Sequence, residues 1–474
     1  MTWLGLLDIA TMAGGVLHGE NQPIHSISTD SRSVQKNQLF IALVGENFDA
    51  HNFVVGLENK AAAALVHKKI DCDLPQIVVD DTLQSLGRLA AACRALFTKP
   101  VIGLTGSNGK TTVKEMLAAI LHCKGNVMAT FGNLNNEIGV PLTLLRLRDQ
   151  HDYAVIEMGA NHFGEIDYLT RIAQPDVAIL NNAGAAHLEG FGDVKGVSRA
   201  KAEIFNGLSD AGVAIINSDD QYADHWLSCN QNRKTITFGF NEQADIRGEL
   251  SHEGLLIHAA DEIQLVKLAL LGRHNAMNAL AATAATLAIG VALTTIKQGL
   301  EALEAVKGRL SFVKGLQGCH IINDTYNANP DSVRVAIKVL AESVSKQRIL
   351  VLGDMGELGD NTAPLHAELG CYAKAQGIDM LYGLGPYSQQ SCQEFGENGF
   401  YFDALTPLLD RLKQAIEEAQ NQQEHQGKVH NVTILVKGSR SMKMERVVEA
   451  LQCHDKDRHC RNESNQKTSL LEES

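Results

Sequence analysis

Twelve consecutive residues, Val101-Ile102-Gly103-Leu104-Thr105-Gly106-Ser107-Asn108-Gly109-Lys110-Thr111-Thr112, constrain this chain more than any other stretch. An apolar run leads into a glycine-rich loop, and a helical pattern from Val113 to Leu121 follows. Strand, loop and helix in that order bring several backbone N–H groups and a helix N-terminus to one point, which suits a phosphate. Lys110 is placed to reach terminal phosphates, and the Thr111 hydroxyl to sit on an accompanying magnesium ion. The usual phosphate-loop spacing puts a glycine five residues before Gly109; this chain has Leu104 there, with Gly103 one place away. A Gly-Lys-Thr tripeptide alone occurs in many loops, so the rest of the chain must say what the phosphate is for.

At roughly 100–200 residues per domain, 474 residues suggest three domains, and 45% hydrophobic with 20% charged residues is an ordinary globular balance. The net charge of −13 disfavours nonspecific binding to nucleic acid or acidic membranes, which need basic surface. Nine cysteines are scattered without zinc-ligand spacing, which argues for reduced thiols in a cytosolic setting. The N-terminus has no basic segment followed by a long apolar core, and Ala279 to Leu293, broken by Gly290, is too short to span a bilayer. The expectation is a cytoplasmic monomer that takes small molecules, with no nucleic-acid partner and no membrane span.

The fold expected is α/β in three domains. Residues 1–80 read as a small α/β domain, with strands at Leu39 to Val44, Ala61 to Val66 and Gln76 to Val79. Residues 81–306 read as a central phosphate-loop domain, opening with a helix from Asp81 to Phe97 that stops before Pro100. Strands at Tyr153 to Ile156, Val177 to Leu180 and Val213 to Asn217 alternate there with helical runs such as Arg199 to Leu208, implying a mostly parallel sheet. Asn275 to Ile289 is an alanine-rich helix that would pack closely on a neighbour. Residues 307–453 form a second doubly wound, Rossmann-like domain, with strands at Cys319 to Ile322, Arg348 to Leu352 and Val432 to Val436. Residues 454–474 read as a disordered tail.

In such sheets ligands gather at the carboxyl ends of strands, and polar residues cluster there. Glu157 follows an apolar strand, as the acidic residue of a magnesium site does, although strand-end carboxylates are often plain surface groups. His187 lies in Asn181-Asn182-Ala183-Gly184-Ala185-Ala186-His187, just past another strand. Lys201 sits on a helix with Ile204, Phe205 and Leu208, where a lysine that merely snorkels to solvent is the plain alternative. His274-Asn275 opens the alanine-rich helix. Arg309 precedes a strand of the third block and Asp324 follows it. Asp324 to Pro330 also reads as an Asn/Pro-rich turn, and Lys437-Gly438-Ser439-Arg440 is a basic turn after a strand, suited to an anionic substrate.

These motifs together resemble the Mur ligases, the ATP-dependent amino-acid-adding enzymes of peptidoglycan precursor synthesis, from about residue 25 to 450. The resemblance is strongest to the branch that adds D-alanyl-D-alanine to UDP-N-acetylmuramoyl-tripeptide. It is carried by Gly132-Asn133-Leu134-Asn135-Asn136-Glu137-Ile138-Gly139-Val140-Pro141, Glu157-Met158-Gly159-Ala160-Asn161-His162, Asn323 to Ser332, and Val351 to Gly359. The Asp-Asn-Pro-Arg motif of the branch that adds the third amino acid is absent.

The resemblance implies that Gly106, Ser107, Asn108, Gly109, Lys110, Thr111 and Thr112 hold the phosphates of ATP. It puts Thr111 and Glu157 on one Mg2+, and His187 and a carbamylated Lys201 on a second. Asn275 would contact adenine, Arg309 the phosphates and Asp324 the ribose. Ser31, Arg32, Phe40, Asp49 and His51 would form the uridine-nucleotide site, and Asn133, Asn136 and Glu137 the route of the muramoyl peptide. Asn327, Asn329 and Lys437 would serve the dipeptide. The implied reaction activates the peptide carboxylate as an acyl phosphate, which the dipeptide amine then attacks. Another Mur ligase or a folylpolyglutamate-type synthetase is the alternative within this reaction class. A nucleotide-switched binding protein is the alternative outside it, although the chain has no Asn-Lys-x-Asp guanine reader.

Overall fold

The computed structural model describes residues 4–45, 47–270, 272–304, 308–421 and 432–452, so Lys307 and the expected tail at 454–474 lie outside the described residues. Two compact units result. One comprises Met1–Gly184 with Gly190–Leu303, the other Ala185–Glu189 with Glu304–Ser474.

The first unit holds two main sheets. The N-terminal one is built from β1 (Val16–His18), β2 (Ser26–Ser28), β3 (Gln38–Ile41), β6 (Ala63–Val66) and β7 (Gln76–Val78), while β4 (Val44–Gly45) and β5 (Phe48–Asp49) pair separately. Its order is β1-β7-β6-β3-β2, parallel except for β1. The run expected as one strand from Leu39 to Val44 stops at Ile41: Ala42 still donates to Leu65 O at 3.0 Å, but the Leu43 carbonyl accepts from the Ala50 N–H, beside the short β4–β5 pair.

The central sheet comprises β8 (Val101–Thr105), β9 (Val127–Ala129), β10 (Tyr153–Glu157), β11 (Val177–Leu180), β12 (Val213–Asn217), β13 (Lys234–Gly239), β14 (Ile246–Ser251), β15 (Gly254–Ala259) and β16 (Glu262–Val266). The order is β16-β15-β14-β13-β12-β11-β8-β10-β9. It is parallel from β9 to β14, with β15 and β16 added antiparallel. β8 therefore lies between β10 and β11, and the chain leaves it toward one edge and returns on its other side. That is the switch point at which open α/β sheets bind ligands. The helix Arg273–Ala288 is apolar nearly all round and buried, and its alanines let it lie close to the helix Lys110–His122. The expected helix Arg199 to Leu208 is a helix Val194–Ala202 that tightens into a 3-10 turn over Glu203–Gly207.

At the opposite end of this sheet, Arg94 ties the helix Thr82–Ala95 to the strands. Its guanidinium, 8% exposed, donates to the carbonyls of Phe97, Ala173 and Gln174 at 2.6–2.8 Å and reaches Asp176 at 3.3 Å. Asp176 also accepts from the N–H of Val101, the first residue of β8. Arg94→Ala takes a donor from each of these three carbonyls and should cost roughly 3 kcal/mol in urea denaturation.

The second unit carries β17 (Ser311–Lys314), β18 (His320–Asp324), β19 (Gln347–Gly353), β20 (Met380–Leu384), β21 (Gly399–Phe402) and β22 (Val432–Lys437), ordered β17-β18-β22-β19-β20-β21. Only β17 is antiparallel. The helices Pro330–Ala341, Thr362–Ala375 and Ser388–Phe395 pack on one face, and Leu405–Asn421 with Glu445–Leu451 on the other. The last strand, β22, inserts between β18 and β19, so Asp324, Lys437 and Gly353 end side by side.

Candidate active site

The loop between β8 and the helix Lys110–His122 needs glycine at two points. Gly106 has φ 155° and Gly109 φ 80°, and a Cβ on Gly109 would come within 2.3 Å of Asn278 Oδ1 and 2.7 Å of Asn181 Nδ2. A layer of asparagines fixes the loop from behind. The N–H groups of Ser107 and Asn108 donate to Asn182 O (3.0 Å) and Asn182 Oδ1 (2.8 Å), and Asn181 Nδ2 donates to Asn108 O and Asn278 Oδ1, both at 3.0 Å. Lys110 Nζ curls over the loop and donates to Gly106 O at 2.6 Å and Ser107 O at 3.2 Å. Anionic oxygens entering the loop would meet that ammonium directly. Thr111 and Thr112 occupy the first helical turn, 7% and 6% exposed.

Glu157 ends β10 with its backbone paired to Leu104 of β8, so its carboxylate rises beside the loop. It is 2% exposed. Oε1 accepts from Asn135 Nδ2 at 2.8 Å, while Oε2 is buried without a hydrogen-bond partner. Thr130 holds the strand end, its hydroxyl accepting from the Glu157 N–H at 2.9 Å. A buried carboxylate oxygen left open beside a phosphate loop is the donor a hard cation needs, so the residues present fit Mg2+.

Lys201 is 0% exposed; its Nζ reaches Ala160 O at 3.3 Å and lies 5.5 Å from the centre of the Phe191 ring. Burial, with the nearby charge of Lys110 adding to it, pushes its ammonium down to about 7. Lys201 is thus not a snorkelling lysine: its amine sits in the interior, uncharged in a large fraction near neutrality. Asn275 begins the alanine-rich helix, 5% exposed, and its Oδ1 accepts from Asn278 Nδ2 at 3.4 Å, which ties it to the asparagine layer under the loop.

The residues expected along the peptide route flank this centre. Asn133 is exposed and Glu137 half-buried, while Asn136 Oδ1 accepts at 2.9 Å from the N–H of Gly139, the first residue of the short helix Gly139–Leu144. In the N-terminal sheet Arg32 is exposed and pairs with Asp30 at 2.9 Å, holding that carboxyl down to about 2; Ser31 lies between them, half-buried. The His67 N–H donates to His51 Nε2 at 3.1 Å, which assigns the imidazole hydrogen to Nδ1, 2.6 Å from Asp49 Oδ1. Phe40 is 0% exposed and packs with Val34, Ala50 and Val54, in a strand whose Leu39 and Ile41 are buried as well.

Within the second unit, Lys437 Nζ donates to Asp324 Oδ2 at 2.5 Å and Asn327 O at 2.9 Å, and both charged residues are buried. The Arg309 guanidinium stacks 4.0 Å from the ring centre of Tyr326. Asn329 is committed to capping, accepting from the Ser332 N–H at 2.9 Å to start the helix Pro330–Ala341. His187 Nδ1 meets Glu357 Oε2 at 2.5 Å, and both residues adopt left-handed backbone, φ 55° and 62°. Asn135, Thr130, Asn182, Asn278 and Glu357 were not singled out from sequence. Asn135, Asn182 and Glu357 were within reach, since they lie inside the stretches Gly132 to Pro141, Asn181 to His187 and Val351 to Gly359.

Three family profiles match the chain: Mur ligase family, catalytic domain over residues 23–94, Mur ligase middle domain over 104–286, and Mur ligase, glutamate ligase domain over 308–459. The chain is 44% identical over 455 residues to the UDP-N-acetylmuramoyl-tripeptide--D-alanyl-D-alanine ligase of Escherichia coli (strain K12), covering 94% of this chain and 98% of that one. It superposes on MurF from Acinetobacter baumannii with a TM-score of 0.87 and 37% identity, covering 95% of this chain and 99% of that one. The MurF ligase from Thermotoga maritima in complex with ADP gives a TM-score of 0.77 and 29% identity, with 90% and 96% covered. The matches take in the phosphate loop, the strand-end carboxylate and both units, and the chain belongs to the Mur ligase family.

Proposed function

We propose that this chain joins D-alanyl-D-alanine to UDP-N-acetylmuramoyl-tripeptide, forming ADP and phosphate, in the cytoplasmic stage of peptidoglycan precursor synthesis. The observation that carries this reading is the open Oε2 of buried Glu157 beside a complete phosphate loop, in a chain so similar to ligases of that name. The terminal carboxylate of the tripeptide attacks the γ-phosphorus of ATP, the bond to ADP breaks, and an acyl phosphate forms. The free amine of the dipeptide then attacks the acyl carbon; phosphate leaves and the amine loses a proton, completing the amide.

In this mechanism the N–H groups of Gly106 to Thr112 and the Lys110 ammonium hold the phosphates and absorb charge on the transferring group. Asn275 contacts adenine, Asp324 ribose and Arg309 the phosphates. Thr111 and Glu157 would hold one Mg2+ and, as the resemblance implies, His187 and Lys201 a second; bound there, such ions would supply neutralisation of phosphate charge. A bare ammonium cannot ligate a cation. An amine depressed to about 7 by burial is nucleophilic enough to add carbon dioxide, and the carbamate so formed carries anionic oxygens. Ser31, Arg32, Asp49 and His51 serve the uridine nucleotide, and Asn133, Asn136 and Glu137 the muramoyl peptide. Lys437 and Asn327 serve the dipeptide, with Asn329 shaping their turn.

The test is substrate-dependent ADP release. Turnover should require the UDP-linked tripeptide and D-alanyl-D-alanine together, assayed with both diaminopimelate and lysine as third residue. Turnover with a single amino acid and indifference to the dipeptide would assign another ligase of the family. ATP hydrolysis indifferent to every peptide would favour a nucleotide switch.

A further inference from the structure

The segment that follows Lys201 is bound to the loop its amine touches. Helix Val194–Ala202 ends one residue after Lys201 and the backbone tightens into a 3-10 turn. The first residue of that turn, Glu203, is half-buried and reaches back to the N-terminus of the helix Glu165–Ala173. Its Oε1 and Oε2 accept from the Gly164 N–H at 2.9 and 3.0 Å, and Oε2 also accepts from the Asp167 N–H at 3.1 Å. That helix cannot cap itself, since its capping position is Gly164, at φ 83° with no side chain to offer. Glu203 supplies the missing acceptor from 39 residues away. Two further bonds fasten the same pair of segments, Asn206 Nδ2 to Asp167 Oδ1 at 2.6 Å and Thr170 Oγ1 to Ile204 O at 2.7 Å.

Lys201 lies at the other end of this seam, its Nζ on Ala160 O, four residues before Gly164. A long side chain with four rotatable bonds is poorly fixed by one 3.3 Å contact. The seam joins the segment that carries Lys201 to the one that follows Ala160. We propose that Glu203 is the positioning residue for Lys201: by capping the helix Glu165–Ala173 from the turn after Lys201, it locks the amine against Ala160 O in the interior. Its role in catalysis rests on the ligand role proposed above for Lys201, whereas the geometric claim does not.

Two readouts separate those layers. The first is acylation of the folded, full-length protein by a small amine-reactive ester, quantified per lysine by peptide mass spectrometry. In the native chain Lys201 should be protected along with Lys114 and Lys437, each 2% exposed or less, while exposed Lys195 on the same helix reacts. In Glu203→Ala, Lys201 alone should become at least about tenfold more reactive, and Glu203→Gln, which keeps the shape with a weaker acceptor, should fall between. Equal gains at Lys114 and Lys437 would mean general loosening, and no gain at Lys201 would mean no positioning; either overturns the proposal. The second readout is the carbamate signal in 13C NMR after equilibration with 13C-bicarbonate. A signal in the native chain that is lost in Glu203→Ala, with ADP affinity held within about twofold and kcat falling at least about tenfold, supports the catalytic layer. A native chain without that signal removes the carbamate reading alone, and the acylation pattern still decides the positioning.

Discussion

In the Lys110→Ala variant, ligation is expected to fall by about a thousandfold in kcat, about 4 kcal/mol of barrier, while the fold and the affinity for the UDP-linked peptide stay intact. The ammonium lies on the carbonyls of Gly106 and Ser107, at the mouth of the loop rather than in the core. Removing a half-buried side chain takes nothing out of the core, so thermal stability should change little. What disappears is the mobile cation that meets charge building up on the phosphoryl group during transfer. The backbone N–H groups remain, so ATP should still bind, several-fold more weakly, and most of the loss should sit in kcat. Lys110→Arg keeps the charge but carries a planar fork in place of a compact ammonium, and should recover only part of the rate. The measurement is steady-state ADP release with ATP, peptide and dipeptide each varied, alongside ADP affinity by calorimetry. Near-normal turnover in Lys110→Ala would remove the phosphate-loop mechanism.

How far this site was readable from sequence depended on how local each part is. The phosphate loop is written in adjacent residues: an apolar strand, two glycines that the backbone requires, and a helix start. Glu157 was readable because it ends a strand, and its depth follows from pairing with Leu104. The supporting contacts are of another kind. Asn135 meets Glu157 across 22 residues, Asn181 meets Asn278 across 97, and Lys437 meets Asp324 across 113. The order of strands in each sheet sets those meetings, and strand order leaves no local periodicity. Lys437 shows the consequence. As a basic residue by a turn it suggests an anionic ligand; that β22 slots in beside β18 and also brings it to a buried carboxylate of its own unit is written nowhere near it in sequence.

The fold was uneven for similar reasons. β8, β10, β11 and β12 are almost wholly buried and apolar up to their last residues, so they stood out. The strands β14 to β16 alternate with exposed or half-exposed polar residues, as at Arg247, Glu249 and Ser251, and extend the sheet as antiparallel hairpins that its βα repeat does not announce. Phe40 entered the uridine-nucleotide site through the resemblance alone; both faces of β3 are covered, with Leu39, Phe40 and Ile41 all 0% exposed.

Lys201→Ala should separate the chemical demand on that position from its packing. A methyl group cannot carry a carbamate, so kcat should drop by about two to three orders of magnitude, while ADP affinity in the absence of peptide changes far less. Truncation also empties the channel that the side-chain stem fills down to Ala160 and Phe191. A formate or acetate ion is small enough to enter it and offer an anionic oxygen where the carbamate would sit, so added short carboxylates should restore part of the rate, saturably. A fully active variant would deny Lys201 any ligand role. Stability provides an independent check in carbon-dioxide-free buffer. The folded chain releases the Lys201 proton near pH 7, whereas an ordinary lysine holds its proton to about 10.5. Between those values the unfolded chain binds one proton more than the folded one, so the stability contributed at this position rises with pH across that window. Urea denaturation at about pH 7 and about pH 9.5 should show that rise in the native chain and a smaller one in Lys201→Ala, where Lys437, also pushed down by burial, still contributes. Parallel pH dependence in the two proteins would mean that Lys201 keeps its proton when folded, leaving no neutral amine near pH 7 to take up carbon dioxide.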